Sequence, residues 1–140
     1  MKLNLPRLAL AAVAAAIIDA AYGFVVYGNL VTNQFAMYPF VYRSAATQTT
    51  YMPILFGGIF LAMLAASFIY AKGYEGGSGL VEGARFGALI GLVAVGYSVI
   101  VGYAMTNIGH LLAASMAVAA LGEWIIAGIV IGLVYKTTRG

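Results

Sequence analysis

The chain has no cysteine, one histidine, three prolines and few charges, with seven Lys or Arg and four Asp or Glu in 140 residues. Without cysteine there are no disulfides, no thiolate metal or iron–sulfur ligands and no thiol nucleophile. A lone histidine, His110, builds no bis-histidine haem or histidine-rich metal site within one chain, so no metal and no cofactor is expected. Nor does it complete a Ser-His-Asp arrangement, because it begins one apolar run while Asp19 lies inside another. The sequence predicts no enzyme. Its basic residues are scattered and form no patch, which argues against nucleic acid as a partner.

What is present is apolar. Hydrophobic residues make up 64% of the chain and the mean hydropathy is +0.99, outside the soluble range. A crossing needs about 20 apolar residues, so the length accommodates four crossings and no separate soluble domain. Residues 8–30, 51–71, 86–106 and 110–134 are the four runs. They predict an all-α transmembrane four-helix bundle occupying 1–140 as a single domain. The first run follows Lys2 and Arg7, as a secretory signal would. It continues through Tyr22–Tyr27 and is too long for a signal core, so it is read as a helix. Lys2, Arg7, Lys72, Arg85, Lys136 and Arg139 flank one side and Arg43 alone the other, which predicts both termini cytoplasmic. The lipid bilayer is the first partner expected.

Against this background two acids stand out. Asp19 and Glu123 sit near the middles of the first and last runs, where a charge costs about 2.5–3.5 kcal/mol on insertion scales. Asp19 is eleven residues past Leu8 and Glu123 eleven before Val134. In antiparallel helices this places both about 17 Å from the same ends. Tyr97 is eleven residues past Phe86 with Ser98 beside it, which predicts a polar layer of Asp19, Glu123, Tyr97 and Ser98. Three roles are open to the acids. They act as neutral hydrogen-bonding groups within the bundle, as a proton or cation site, or as partners for a cation on another subunit.

Small residues recur at helical spacing, at Ala12, Ala16, Ala20 and Gly23, at Gly58, Ala62 and Ala66, at Gly83, Gly87 and Gly91, and at Gly128 and Gly132. Such faces let backbones approach, and here they are expected to pack within the chain. The segment Val31–Thr50 carries Phe35, Tyr38, Phe40 and Tyr42 around Pro39. It reads as an aromatic belt at headgroup level, with a lid or docking surface as the alternative. The glycine-rich run from Lys72 to Gly79 lacks a phosphate-loop ending and reads as a turn. Ser78 or Gly79 is expected to cap the third helix, and Glu82 to pair with Arg85.

The run Tyr70-Ala71-Lys72-Gly73-Tyr74-Glu75-Gly76-Gly77-Ser78-Gly79, then Glu82 to Gly87, Glu123-Trp124 and Gly128 to Tyr135, resembles small four-span bacterial inner-membrane proteins. The resemblance covers nearly the whole chain and implies a multi-pass inner-membrane location, and it carries no activity or catalytic residue. The leading expectation is a non-enzymatic accessory or assembly subunit of a membrane complex, or a homo-oligomer, with other membrane subunits or itself as partner. The alternatives are a small proton-coupled carrier using Asp19 and Glu123, or a lipid or quinone site near Tyr22, Tyr27 or Trp124.

Overall fold

The computed structural model describes residues 3–136. Four helices are long and apolar enough to cross a membrane: α1 (Leu5–Leu30), α3 (Ala45–Gly73), α4 (Gly79–Met105) and α5 (His110–Tyr135). A short α2 (Thr32–Ala36) lies between the first two. No strand occurs among the described residues. Three of the four spans exceed the sequence-based bounds at their starts. Asn4 explains the first extension, since its side chain accepts the Arg7 amide at 3.2 Å with Pro6 in the first turn. Ser44 does the same for α3 by accepting the Thr47 amide at 3.3 Å.

The four helices run alternately up and down, so both described ends of the chain lie together, and the Asn4 amide donates to the Tyr135 hydroxyl at 3.4 Å. Arg7, Lys72, Arg85 and Lys136 belong to this terminal end, while Lys2 and Arg139 lie outside the described residues. Arg43, at the opposite end, stacks 3.8 Å from the Tyr51 ring centroid. Packing is uneven. α5 packs on all three other long helices and α1 on α3 and α5, whereas α4 packs along α5 with only marginal contact elsewhere.

Glycine explains the α4–α5 pairing. A β-carbon on Gly79, Gly83 or Gly87 would collide with the carbonyl oxygens of Gly132, Gly128 and Trp124 in turn. On Gly91 it would lie 3.0 Å from Leu121 Cδ1. The two backbones are in direct contact, as small-xxx-small faces permit. The predicted seam of Gly83, Gly87, Gly91, Gly128 and Gly132 is therefore internal, and Gly79 extends it by one turn. Two other predicted small faces end early. β-Carbons on Gly23 and Gly58 would meet nothing within 4 Å, so these glycines close no interface. The buried stripe of α1 is instead Leu8, Ala11, Ala12, Ala15 and Asp19, the i, i+3, i+4 rows of one face.

Two apolar plugs bracket the middle of the molecule. Near the terminal end Leu8, Ala11, Ala15, Met63, Ala127 and Ile131 pack together with Tyr70 and Tyr135. The Tyr70 ring meets Phe86 and Tyr135 edge-on at 5.4 and 6.1 Å. At the opposite end Val31, Ile108 and Leu112 pack with Phe35, Tyr38, Tyr42 and Met116. The aromatic segment thus folds onto α5. Tyr38 Oη accepts the Gly109 amide at 2.9 Å, and Phe35 and Tyr42 stack edge-on at 4.8 Å. Burial pushes the Tyr42 hydroxyl above the usual phenol range, so it stays a donor, here to Met116 Sδ at 3.6 Å. Phe40 departs from this group and is fully exposed.

The turn before α4 is organised by Glu82. Its carboxylate accepts the Glu75 and Gly77 amides, each at 3.2 Å, and the Tyr70 hydroxyl at 3.3 Å. Gly76 makes this possible with φ 83°, in the left-handed region that glycine enters without strain. Ser78 holds the N-cap position but its side chain makes no capping bond. Among the described residues no Glu82–Arg85 ion pair forms, because the loop amides already occupy Glu82.

Candidate functional site

Asp19 continues the alanine stripe of α1, and this is why it is buried, at 5% exposure. Fourteen residues from Leu5, it lies about 21 Å along α1. Glu123 lies twelve residues before Tyr135, about 18 Å from the same end. The two carboxyl groups meet between α1 and α5, within interaction range of each other. Among the described residues no N–H or tyrosine, serine or threonine O–H donates to Asp19 Oδ1, which leaves a proton shared with Glu123 as the donor within reach.

Two tyrosines of α1 complete the polar layer. Tyr27 Oη donates to Glu123 Oε2 at 3.1 Å, and Tyr22 Oη donates to the Ala119 carbonyl at 2.6 Å. Side chains lean toward the start of their own helix. Because α1 and α5 are antiparallel, Tyr27 leans toward mid-span from above and Glu123 leans up to meet it. Tyr22 needs a gap in α5, and Gly122 provides it: a β-carbon there would lie 2.9 Å from the tyrosine oxygen. The rings of Tyr22 and Tyr27 stand edge-on at 6.4 Å.

A groove of about 300 Å³ reaches Glu123 from the side. Tyr27 forms one wall, Ala94, Ser98 and Val99 the other, and Met116, Ala120, Glu123 and Trp124 the floor. It stays open because α1 and α4 do not pack on each other. Both walls contain a π-helical turn, Val26–Leu30 in α1 and Val95–Ile100 in α4. Such turns are rare and occur often at functional sites. A larger hollow of about 590 Å³ among Phe35, Pro39, Arg43 and Thr47 holds no acid.

Of the predicted layer, Asp19 and Glu123 come together and Ser98 faces Glu123 across the groove. Tyr97 does not join them. It is 79% exposed on the outer surface of α4, turned there within the π-helical segment. Tyr22 and Tyr27 occupy the place expected for it. The sequence points to them only as neighbours of a lipid or quinone site, since their level by helical rise lies beyond the acids and the lean of their long side chains closes the distance. His110 is exposed at the start of α5, far from the pair. Among the described residues no group of three His, Cys, Asp or Glu side chains is placed to hold a metal ion.

The arrangement can do two things chemically. Two adjacent carboxyls can share a proton, or they can offer oxygen acceptors to a cation. Among the described residues no Lys or Arg lies near their level to neutralise them, as the basic residues of the spans are Arg7, Lys72 and Arg85 near the terminal end. No family model, curated protein or solved structure matches this chain.

Proposed function

We propose that this chain is a small non-enzymatic membrane carrier that takes up a proton or a monovalent cation at the Asp19–Glu123 pair. The supporting observation is the pair itself, a buried Asp19 carboxyl beside Glu123, which lines a groove and receives a single tyrosine hydrogen bond. Intramembrane acids that face a cavity mark ion and proton paths in general. The groove supplies access, and the π-helical turns supply walls that can change register. The clustering of basic residues at the terminal end favours a cytoplasmic location for both termini, and with the bacterial resemblance it favours an inner membrane.

The test is charge movement on proteoliposomes adsorbed to a solid-supported membrane. Jumps of pH and of sodium, potassium, ammonium and ethylammonium chloride are applied to the unmodified protein, Asp19→Asn and Glu123→Gln. Transients for at least one cation that disappear in both variants are expected. Silence across the panel with correctly folded protein would reduce the acids to structural hydrogen-bonding groups.

A second reading, an accessory subunit or homo-oligomer, draws on the one-sided packing of α4, whose outer face carries Leu89, Val93, Tyr97 and Ile100 exposed. The glycine seam no longer argues for it, because α5 consumes that face. Particle mass in native nanodiscs decides: a mass above that of one chain supports it, and a monomer removes it.

A further inference from the structure

We propose that the groove between α1 and α4 admits, sideways from the bilayer, a hydrophobic organic monocation whose ammonium head docks on the Glu123 carboxyl beside Tyr27 and Trp124. This rests on reading the pair as a cation site and names the class of cation. Three features of the site point the same way.

The first is the acid on its floor. Glu123 is the one carboxyl among the residues lining the groove, and the bond from Tyr27 leaves acceptor positions on it open. A ligand that fills them brings hydrogen-bond donors, positive charge or both. A quinone brings carbonyl acceptors, which suit Ser98 and Trp124 but leave Glu123 unmatched.

The second is the wall chemistry. Tyr27 and Trp124 line the groove together with Met116, Val99, Ala94 and Ala120, and Ser98 alone adds a hydroxyl. Aromatic faces attract an ammonium, by about 2 kcal/mol or more where water is excluded. Apolar walls also reject a fully hydrated inorganic ion and accept hydrocarbon. The third is the route. Ser98 is exposed at the mouth and α1 stands clear of α4, so entry is lateral rather than through either plugged end. An amphiphilic cation already dissolved in the bilayer arrives by that path.

Trp124 is the only tryptophan and sits on the groove floor, so its emission reports occupancy without a label. The probe is benzyltrimethylammonium, titrated into the full-length protein in nanodiscs of zwitterionic lipid. Neopentylbenzene, its neutral carbon isostere, is the control for partitioning. A saturable change in Trp124 emission with the cation and none with the isostere is expected. Glu123→Gln should weaken apparent affinity by about tenfold or more, the loss of one desolvated charge contact. Ser98→Leu, which keeps both acids and fills the mouth, should also weaken it.

Equal responses to cation and isostere would overturn the proposal. So would an unchanged affinity in both variants, or a saturable response to a short-chain benzoquinone alone. If the small-cation transients described above persist while benzyltrimethylammonium fails to bind, the carrier reading stands and the hydrophobic class is wrong. If both fail, the pair is no cation site.

Discussion

Replacing Gly87 with alanine should weaken the α4–α5 pairing, and the structure sets the size of the effect. An ideal β-carbon on Gly87 falls 2.8 Å from Ile125 Cα and 2.9 Å from the Trp124 carbonyl carbon, with the carbonyl oxygen closer still. Carbon atoms rest at about 3.5–4.0 Å, so α5 must retreat by roughly 1 Å. The obstacle is backbone, which has no rotamer to give. Overpacking of this kind costs about 1–3 kcal/mol, and the helix preference for alanine over glycine returns up to about 1 kcal/mol. With that return in full the net loss is about 0–2 kcal/mol, and relative to a glycine replaced in open space the loss is the whole of about 1–3 kcal/mol. Gly58→Ala is the matched control, since nothing lies within 4 Å of its added carbon and only the propensity gain remains. The assay is unfolding by sodium dodecyl sulfate in mixed micelles, followed by Trp124 emission. If Gly87→Ala unfolds at the same detergent fraction as Gly58→Ala, the close seam does not exist.

Other positions give independent checks. Ser67→Ala removes a fully buried hydroxyl that has no partner, and it should raise stability by up to about 1 kcal/mol in the same assay. Tyr27→Phe deletes the bond to Glu123 and should lose about 0.6–1 kcal/mol, whereas Tyr97→Phe on the outer surface should lose nothing measurable. Glu82→Ala strips the loop amides of Glu75 and Gly77 of their acceptor, so hydrogen exchange there should accelerate while exchange in the middle of α5 is unchanged.

How much of this was written in the sequence varies with the kind of question. The spans were legible because apolar runs long enough to cross a bilayer admit few alternatives. The common depth of Asp19 and Glu123 was legible because helical rise per residue is nearly constant, so counting from both ends works. Azimuth was not. Tyr97 has about the right level, but the π-helical turn at Val95–Ile100 changes the residues per turn and places it outside. Spacing alone likewise cannot tell the glycines of the α4 seam from Gly23 and Gly58, since the pattern says that a face is small and not what faces it. Glu82 was paired with Arg85 because only its own helix was considered, while the preceding loop returns to it through Gly76. Tyr27, named beside a lipid or quinone site, is absent from the predicted polar layer for a related reason, as depth counting follows Cα atoms and ignores a side chain leaning toward mid-span.

On the proposed reading Asp19 serves what the pair binds and not what it holds together. Asp19→Ala tests it directly, because alanine continues the Ala11–Ala12–Ala15 stripe and removes one carboxyl of the pair. Stability by detergent unfolding and charge movement on cation jumps are measured on the same preparation. The account predicts a midpoint within about 1 kcal/mol of the unmodified protein, together with loss of the transients. A large loss of stability with the transients intact would contradict it and make Asp19 part of the scaffold.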